Sequence, residues 1–367
     1  MSSSASTALL RASRVGVVHG ADPQSVIDKI GAMRQLEKAV YAVPDYLEQC
    51  RKEAAQVAPA TQPSPRVVDE FCREQICEWS YRVVDYFDIN RDVVAISLSF
   101  LDRFMTTCVC DRRTYKLAAT TALFLAVKVH DDSHVQLSFL SVLANLSRGE
   151  FHEKHITEME RIMLKALGFR VHPPTAVAFI NHFMLLPPFS IAEQPQDQQQ
   201  QQQQQYPVSC YSSPSADEEN ALCTTLSRST SRHIFDMACF YTELAVMDYY
   251  FVTKEPSLVA LAAILEAMDR AQHSIPSKTY RVFLDIMERV IGNTNADELL
   301  DVQSRLRHIY ERVYGSQVTG GQHFGEQDCA TTTNVVDIHS QAVSPVSVIP
   351  QEQVMARRVL AQHPRRS

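Results

Sequence analysis

The sequence has little of several features that mark common classes of protein. Its 367 residues include 10 glycines and one tryptophan, and its nine cysteines form no Cys-x-x-Cys pair. Structural zinc modules usually contain such pairs, so a zinc module is not predicted. No apolar run approaches the ~20 residues of a membrane span, and no signal-peptide core lies near the N-terminus. With an odd cysteine count, these absences predict a soluble protein of the nucleus and/or cytoplasm, without a membrane partner.

Basic charge is scarce relative to acidic charge. The chain carries 35 Lys and Arg residues against 42 Asp and Glu, a net charge of -7. Because nucleic acid attracts basic surfaces, this balance disfavours direct binding of nucleic acid.

Signatures of catalysis are also missing. We find no glycine-rich phosphate loop, no Ser-His-Asp order and no paired-carboxylate motif. Asp131 and Asp132 are adjacent, so on a helix they point about 100° apart and cannot share one proton. His152 and His155 suit the start of a helix better than a metal site, which needs further ligands. The sequence therefore predicts no enzyme, no metal and no other cofactor.

Helical periodicity is what the sequence has in quantity. Apolar side chains recur every three or four residues, whereas the alternation of a strand is almost absent. Helices are predicted at 66–87, 90–107, 112–131, 137–146 and 153–168, and again, after Pro173-Pro174, at 175–186, 229–251, 256–271, 277–291 and 296–314. The helix at 112–131 has a side of small residues, typical of the centre of a bundle: Ala118, Ala119, Ala122 and Ala126. Residues 257–265 repeat this character, so the pattern predicts a duplicated five-helix unit.

Three stretches have compositions that disfavour a packed core. Residues 1 to about 30 are rich in serine and alanine, and a single amphipathic helix is predicted near 31–57. Eight consecutive glutamines, Gln198 to Gln205, predict a disordered linker. The predicted organisation is an N-terminal extension at 1–60, partly disordered with one helix, a first helical domain at 61–172, a second at 173–315 with a disordered insert at about 190–225, and a disordered tail at 316–367.

Four segments of the first helical series resemble the N-terminal box of the cyclin family. They are Arg73-Glu-Gln-Ile-Cys-Glu-Trp79, Ser99-Phe-Leu-Asp-Arg-Phe104, Ala126-Val-Lys128 and Met159-Glu-Arg-Ile-Met-Leu-Lys-Ala-Leu-Gly-Phe169. In the second series, Glu243-Leu-Ala-Val-Met-Asp248 and Pro256-Ser-Leu-Val-Ala260 resemble the C-terminal cyclin fold more loosely. The resemblance implies an all-α protein with two tandem five-helix cyclin-fold bundles.

The resemblance also implies a non-catalytic regulatory subunit. Cyclins bind a cyclin-dependent protein kinase and fix its mobile C-helix, so that the kinase's own Lys-Glu ion pair can form. On the family pattern, Lys128 and Glu160 are implied to contact the kinase. Without the family pattern, the same two residues fit an intramolecular surface ion pair. Arg73 and Asp102 stand where cyclins place an internal salt bridge, which implies a structural role.

Trp79 occupies a position that belongs, in some cyclins, to a hydrophobic patch that docks Arg-x-Leu segments of substrates and inhibitors. This chain departs from that pattern at Cys72, Gln75, Tyr115 and Lys116. Cys72 and Gln75 replace larger apolar side chains, and Lys116 adds a positive charge. These changes should weaken docking of a basic, leucine-bearing peptide, which favours a core role for Trp79.

A motif for regulated degradation is predicted in the tail. Residues 1–60 contain neither Arg-x-x-Leu nor Lys-Glu-Asn, whereas Arg357 and Leu360 form an Arg-x-x-Leu outside the predicted helices. Two further Arg-x-x-Leu sequences, Arg161 to Leu164 and Arg281 to Leu284, lie within predicted packed helices, so the one in the tail is the one predicted to be accessible.

Cell-cycle control through a kinase partner is the leading prediction, and three alternatives stay open. A transcription-type cyclin would act on a different kinase, and these motifs do not separate the two types. A cyclin-fold transcription factor core would contact DNA through a basic face, which the acidic balance disfavours. A helical enzyme would need a pocket with convergent polar groups, which no spacing here predicts.

Overall fold

The structure of the protein is a computed structural model. It describes residues 22–57, 68–108, 110–131, 136–189, 226–271, 275–292 and 295–318. The predicted insert at about 190–225, the tail beyond residue 318 and, with it, Arg357 and Leu360 lie outside these residues.

Twelve α-helices and no strand occur in the described ranges. In chain order the helices are α1 Pro23–Ala39, α2 Tyr46–Val57, α3 Glu70–Tyr86, α4 Asp92–Met105, α5 Arg112–His130, α6 Gln136–Leu146, α7 Glu153–Ala166, α8 Ala176–Phe183, α9 Arg228–Met247, α10 Pro256–Arg270, α11 Ser277–Ile291 and α12 Ala296–Val318. A 3-10 turn at Tyr249–Thr253 follows α9. The all-α class and the two successive series of five helices, α3 to α7 and α8 to α12, are confirmed.

The chain forms two compact units. The first unit contains the described parts of 43–173, 243–253 and 307–318, and the second contains those of 22–42, 174–242 and 254–306. Neither unit is contiguous in sequence. The domain boundaries at 61–172 and 173–315 stay predictions.

Helix α5 lies at the centre of the first unit, where it packs against α3, α4, α6 and α7. Its predicted side of small residues is buried: Ala118, Ala119, Ala122 and Ala126. Small side chains let neighbouring helices approach closely, and large buried residues such as Phe100 and Phe139 fill the surrounding core. This arrangement leaves the C-terminal end of α5, with Lys128, at the surface.

The segment predicted as one helix near 31–57 is two helices, α1 and α2, joined by residues 40–45. Pro44 explains the break because it lacks a backbone N–H and disfavours helical backbone in the residue before it. Asp45 then caps α2, since its carboxylate accepts a hydrogen bond of 3.0 Å from the N–H of Glu48.

In the second unit, α10 packs against α8, and α1 packs against α8 and α11. A buried carboxylate links α1 to the start of α10. Glu37 accepts hydrogen bonds from Ser257 N at 2.9 Å and from Ser257 Oγ at 2.7 Å. Burial raises the pKa of Glu37, although both hydrogen bonds oppose the rise.

Candidate protein-binding site

Lys128 lies in the last turn of α5, and Glu160 lies on α7. The structure brings the two residues together: Lys128 Nζ donates to Glu160 Oε1 at 2.9 Å. The lysine side chain is 50% exposed, whereas the glutamate side chain is 10% exposed. Lys128 Nζ also lies 5.6 Å from the centre of the Phe124 ring, within the range of a cation–π contact. The pair therefore presents a half-exposed ammonium beside a nearly buried carboxylate.

Both residues line an open groove of about 680 Å³ in the first unit. The apolar lining comes from Leu140, Leu164 and Phe169, and the remaining lining is mostly charged: Glu153, Lys154, Glu158, Arg161 and Lys165. The Phe169 residue is 68% exposed, more than any other large apolar residue in the described ranges. Apolar side chains mixed with charged groups and an exposed aromatic ring are typical of a protein-binding surface.

A tight turn at the end of α7 exposes Phe169. Gly168 has φ +59° and Phe169 has φ +58°, so both residues adopt the left-handed conformation. Glycine takes this conformation without steric cost, but a phenylalanine there is strained. The N–H of Phe169 donates to Leu164 O at 2.9 Å, which closes the helix end. Phe169 thus combines a strained backbone with a side chain that is exposed to solvent at the groove.

Side chains from α4 and α5 hold this turn. Arg103 Nη1 donates to Arg170 O at 2.8 Å, and its Nη2 donates to Leu167 O at 3.2 Å. His130 Nε2 lies 2.6 Å from Val171 O, and a carbonyl can only accept, so the ring donates. Burial lowers the pKa of His130, and the hydrogen bond to Val171 opposes the shift.

Arg103, His130 and Phe169 are not among the functional residues predicted from the sequence. Arg103 and Phe169 lie within segments that carry the resemblance, but no sequence pattern indicates that they act together. The Arg103–Leu167 contact spans 64 residues.

Arg73 of α3 and Asp102 of α4 are paired in the buried interior of the first unit. Arg73 Nε donates to Asp102 Oδ1 and Nη2 donates to Oδ2, each at 2.9 Å. Tyr46 donates to the same carboxylate at 2.9 Å. Burial by itself lowers the pKa of Arg73, but the charge and hydrogen bonds of Asp102 more than reverse this and raise it. The pair does not line the groove.

Comparison with known proteins gives the family. The family model of the cyclin N-terminal domain matches residues 33–172, and that of the cyclin C-terminal domain matches residues 222–319. The chain belongs to the cyclin family. Cyclins are in general non-catalytic regulatory subunits, and the groove lies within the N-terminal match.

Two curated plant cyclins are similar to this cyclin over part of their length. It is 26% identical over 149 residues to G2/mitotic-specific cyclin-1 of Medicago sativa subsp. varia, which is 39% of this chain and 34% of that protein. It is 23% identical over 211 residues to G2/mitotic-specific cyclin-2 of Medicago sativa, 58% of this chain and 51% of that protein. The chain thus spans a third to a half of the length of these relatives.

Among solved structures, a viral cyclin from herpesvirus saimiri aligns with a TM-score of 0.50 and 11% identity. The alignment covers 80% of this chain and 99% of the viral cyclin. At this identity the likeness supports the cyclin fold alone.

Two of the predicted docking-patch residues belong at least partly to the interior of the cyclin box. Tyr115 is buried, and its hydroxyl has no hydrogen-bond partner in the described part of the chain. Burial raises the pKa of this hydroxyl well above its usual range. Trp79 is half-buried and packs against the core cluster of the first unit.

Each of the other three patch residues has a polar contact, although Cys72 also packs against the core of the first unit. Gln75 and Lys116 are exposed, and Lys116 Nζ lies 3.5 Å from Glu150 Oε2. Cys72 is half-buried, and its N–H donates to Asp69 Oδ1 at 2.8 Å. Burial raises the pKa of the Cys72 thiol. A docking role for the five residues stays a prediction.

The two histidines at the start of α7 form a helix-end contact, in which His155 Nδ1 accepts from His152 N at 3.2 Å. Among the described residues, no group of three or more His, Cys, Asp or Glu side chains could hold a metal. Within those same ranges, no helix has the length and apolar character needed to cross a membrane.

Proposed function

We propose that this cyclin binds and activates a cyclin-dependent protein kinase in cell-cycle control, in the nucleus and/or cytoplasm. The observation that carries the proposal is the Lys128–Glu160 pair at the groove, which places an exposed cation and an acceptor beside an exposed Phe169. The similarity to G2/mitotic-specific cyclins favours a cell-cycle role over the transcription-type alternative.

In this proposal the charged pair recognises kinase backbone. An ammonium has three N–H donors, and a carboxylate accepts several hydrogen bonds, so Lys128 would donate to a carbonyl while Glu160 accepts from an amide. Such groups are available beside the kinase C-helix. Leu140, Leu164 and Phe169 would cover apolar side chains of that helix. The cyclin would thereby fix the C-helix, while the catalytic groups belong to the kinase.

The alternative is an ion pair that only stabilises this chain. An ion pair whose lysine is half-exposed, as here, contributes about 0 to 1 kcal/mol to folding. A charged group desolvated at an interface contributes more, since removal of one partner costs about 2 to 5 kcal/mol of binding. The two roles therefore predict different losses in binding and in stability.

Lys128→Ala, Glu160→Ala and the double variant test the proposal. We expect each protein to keep its helical circular dichroism and to melt near the unchanged protein, but to lose most binding and activation of its kinase. The kinase is first identified by affinity purification and mass spectrometry, and binding is then measured by pull-down.

Arg51→Ala with Glu70→Ala is the matched control, because this pair is also in the first unit, at a separation of 3.0 Å, but Arg51 and Glu70 do not line the groove. The control should bind the kinase normally. Undiminished binding by the Lys128 and Glu160 double variant would contradict the proposal.

A further inference from the structure

We propose that Arg103 is a positioning residue for the partner-binding groove. It does not contact the partner, but it holds the turn that places Phe169 in the groove. This inference rests on the proposed function, because its effect is measured as kinase affinity.

The geometry points to this role because the two carbonyls held by Arg103 bracket Phe169. Leu167 O lies two residues before the phenylalanine and Arg170 O lies one residue after it, at 3.2 and 2.8 Å from the guanidinium. Arg103 is buried on α4, close to the end of that helix. A planar guanidinium with a rigid array of donors can hold two carbonyls in a fixed relation.

The turn needs such support for two reasons. Phe169 has φ +58°, which an L-residue with a large side chain rarely adopts. Its ring is also exposed to water, so burial of the ring against the protein would be favourable without the partner. Both effects favour a relaxed turn with the ring displaced. The Arg103 hydrogen bonds oppose that relaxation.

His130 provides a second anchor on the same segment. Its ring donates to Val171 O at 2.6 Å, two residues beyond Phe169. His130 is also two residues beyond Lys128 on α5. The turn and the exposed ammonium are therefore attached to the same helix end, so Phe169 and Lys128 keep a defined separation in the groove.

A double-mutant cycle between Arg103→Met and Phe169→Ala tests the inference. Affinity for the purified kinase is measured by calorimetry on the full chain. We expect each single variant to bind about tenfold more weakly. If Arg103 acts through Phe169, the double variant should bind no more weakly than Phe169→Ala alone. Equal losses from Arg103→Met in both backgrounds would overturn the positioning role.

Two further variants keep the test valid where Arg103→Met lowers stability. Arg103→Lys keeps the charge but not the paired donors, and Gly168→Ala strains the turn at φ +59° without a steric clash. Both should reduce affinity when Phe169 is present and have little further effect when combined with Phe169→Ala. Full affinity in both variants would overturn the inference.

Arg91→Met is the control. Arg91 is also a partly buried arginine of the first unit, but it forms ion pairs with Asp85 and Glu243, which lie outside the turn that contains Phe169. It should leave kinase affinity unchanged. If Phe169→Ala binds fully while Lys128→Ala binds weakly, the positioning role fails and the kinase site stands. If Lys128→Ala and Glu160→Ala also bind fully, the proposed function itself fails.

Discussion

Arg73 uses its guanidinium for three hydrogen bonds, two to Asp102 and one of 2.8 Å to the carbonyl of Val246. Its side chain is 4% exposed, and that of Asp102 is 6% exposed. Taking both charges out of water is unfavourable, and their attraction offsets this only while both partners are present. The pair therefore contributes little compared with well-packed apolar residues, but its disruption is destabilising.

Arg73→Met should destabilise the protein by about 3 to 5 kcal/mol, because it leaves the Asp102 carboxylate buried without its cation. Adding Asp102→Leu should restore part of the loss. Urea unfolding followed by circular dichroism measures both. Arg82→Met serves as the control, since the exposed Arg82–Glu78 pair should contribute less than about 1 kcal/mol. A loss below about 1 kcal/mol for Arg73→Met would show that the pair is not coupled as described.

Individual residues differed in how far the sequence could predict them. Lys128, Glu160, Arg73 and Asp102 could be named from family motifs, and the structure places each pair at hydrogen-bonding distance. The exposure of Phe169 could not be predicted, because it follows from left-handed backbone angles. A motif identifies residue types, whereas the hydrogen bonds from Arg103 to Leu167 and Arg170 depend on how the helices pack.

At the scale of elements, α10 begins without a capping side chain of its own. Glu37 of α1 supplies the acceptor instead, by binding both the N–H and the hydroxyl of Ser257. A carboxylate at a helix N-terminus also interacts favourably with the helix dipole. Arg34 donates to Ser257 Oγ at 3.3 Å, and its Nε lies 3.9 Å from Glu37. Helix α1 is therefore attached to the rest of the second unit by a partly buried polar network.

Glu37→Gln should change how stability depends on pH. Burial raises the pKa of Glu37 above 4.5, so between pH 4.5 and the raised value the folded chain binds more protons at this site than the unfolded chain. Stability from this site therefore falls as pH rises through that window. The advantage of the natural protein over the Gln variant should be largest at or below pH 4.5 and decrease above it. Melting temperatures across roughly pH 4 to 8 measure the difference, and an opposite slope would contradict the assignment.

The periodic elements were the most predictable. The helices predicted at 90–107 and 112–131 are Asp92–Met105 and Arg112–His130, because each combines a long apolar stripe with clear end signals. The prediction of one helix near 31–57 is wrong, because Pro44 interrupts the helical backbone between two segments whose weak periodicity looks continuous. The contact between Glu37 and Ser257 spans 220 residues, and no local pattern indicates it.

At the scale of the molecule, residues 243–253 belong to the first unit although they lie far along the chain. Tyr249 provides several of the contacts that hold this segment. Its hydroxyl accepts from Leu47 N at 3.1 Å and donates to Asp45 at 2.9 Å, and its ring meets that of Tyr46 edge to face at 5.4 Å. One side chain thus satisfies a buried amide at the start of α2 and packs beside the core.

Tyr249→Phe should destabilise the protein by about 1 to 3 kcal/mol, because the buried N–H of Leu47 loses its acceptor while the ring contacts remain. Chemical denaturation of the full chain measures the change. Tyr86→Phe is the control, since Tyr86 is exposed and should have little effect. If the two variants unfold alike, the Tyr249 hydroxyl does not contribute as described.

The position of Tyr249 in the chain also affects the order of events during protein synthesis. Its contact with Leu47 spans 202 residues, and that between Arg73 and Val246 spans 173. At the usual ~5 to 20 residues per second, a ribosome needs roughly 10 to 40 s to add those 202 residues. During that interval the nascent N-terminal helices exist without their later acceptors. The first unit can be completed only after residues 243–253 and 307–318 have left the ribosome.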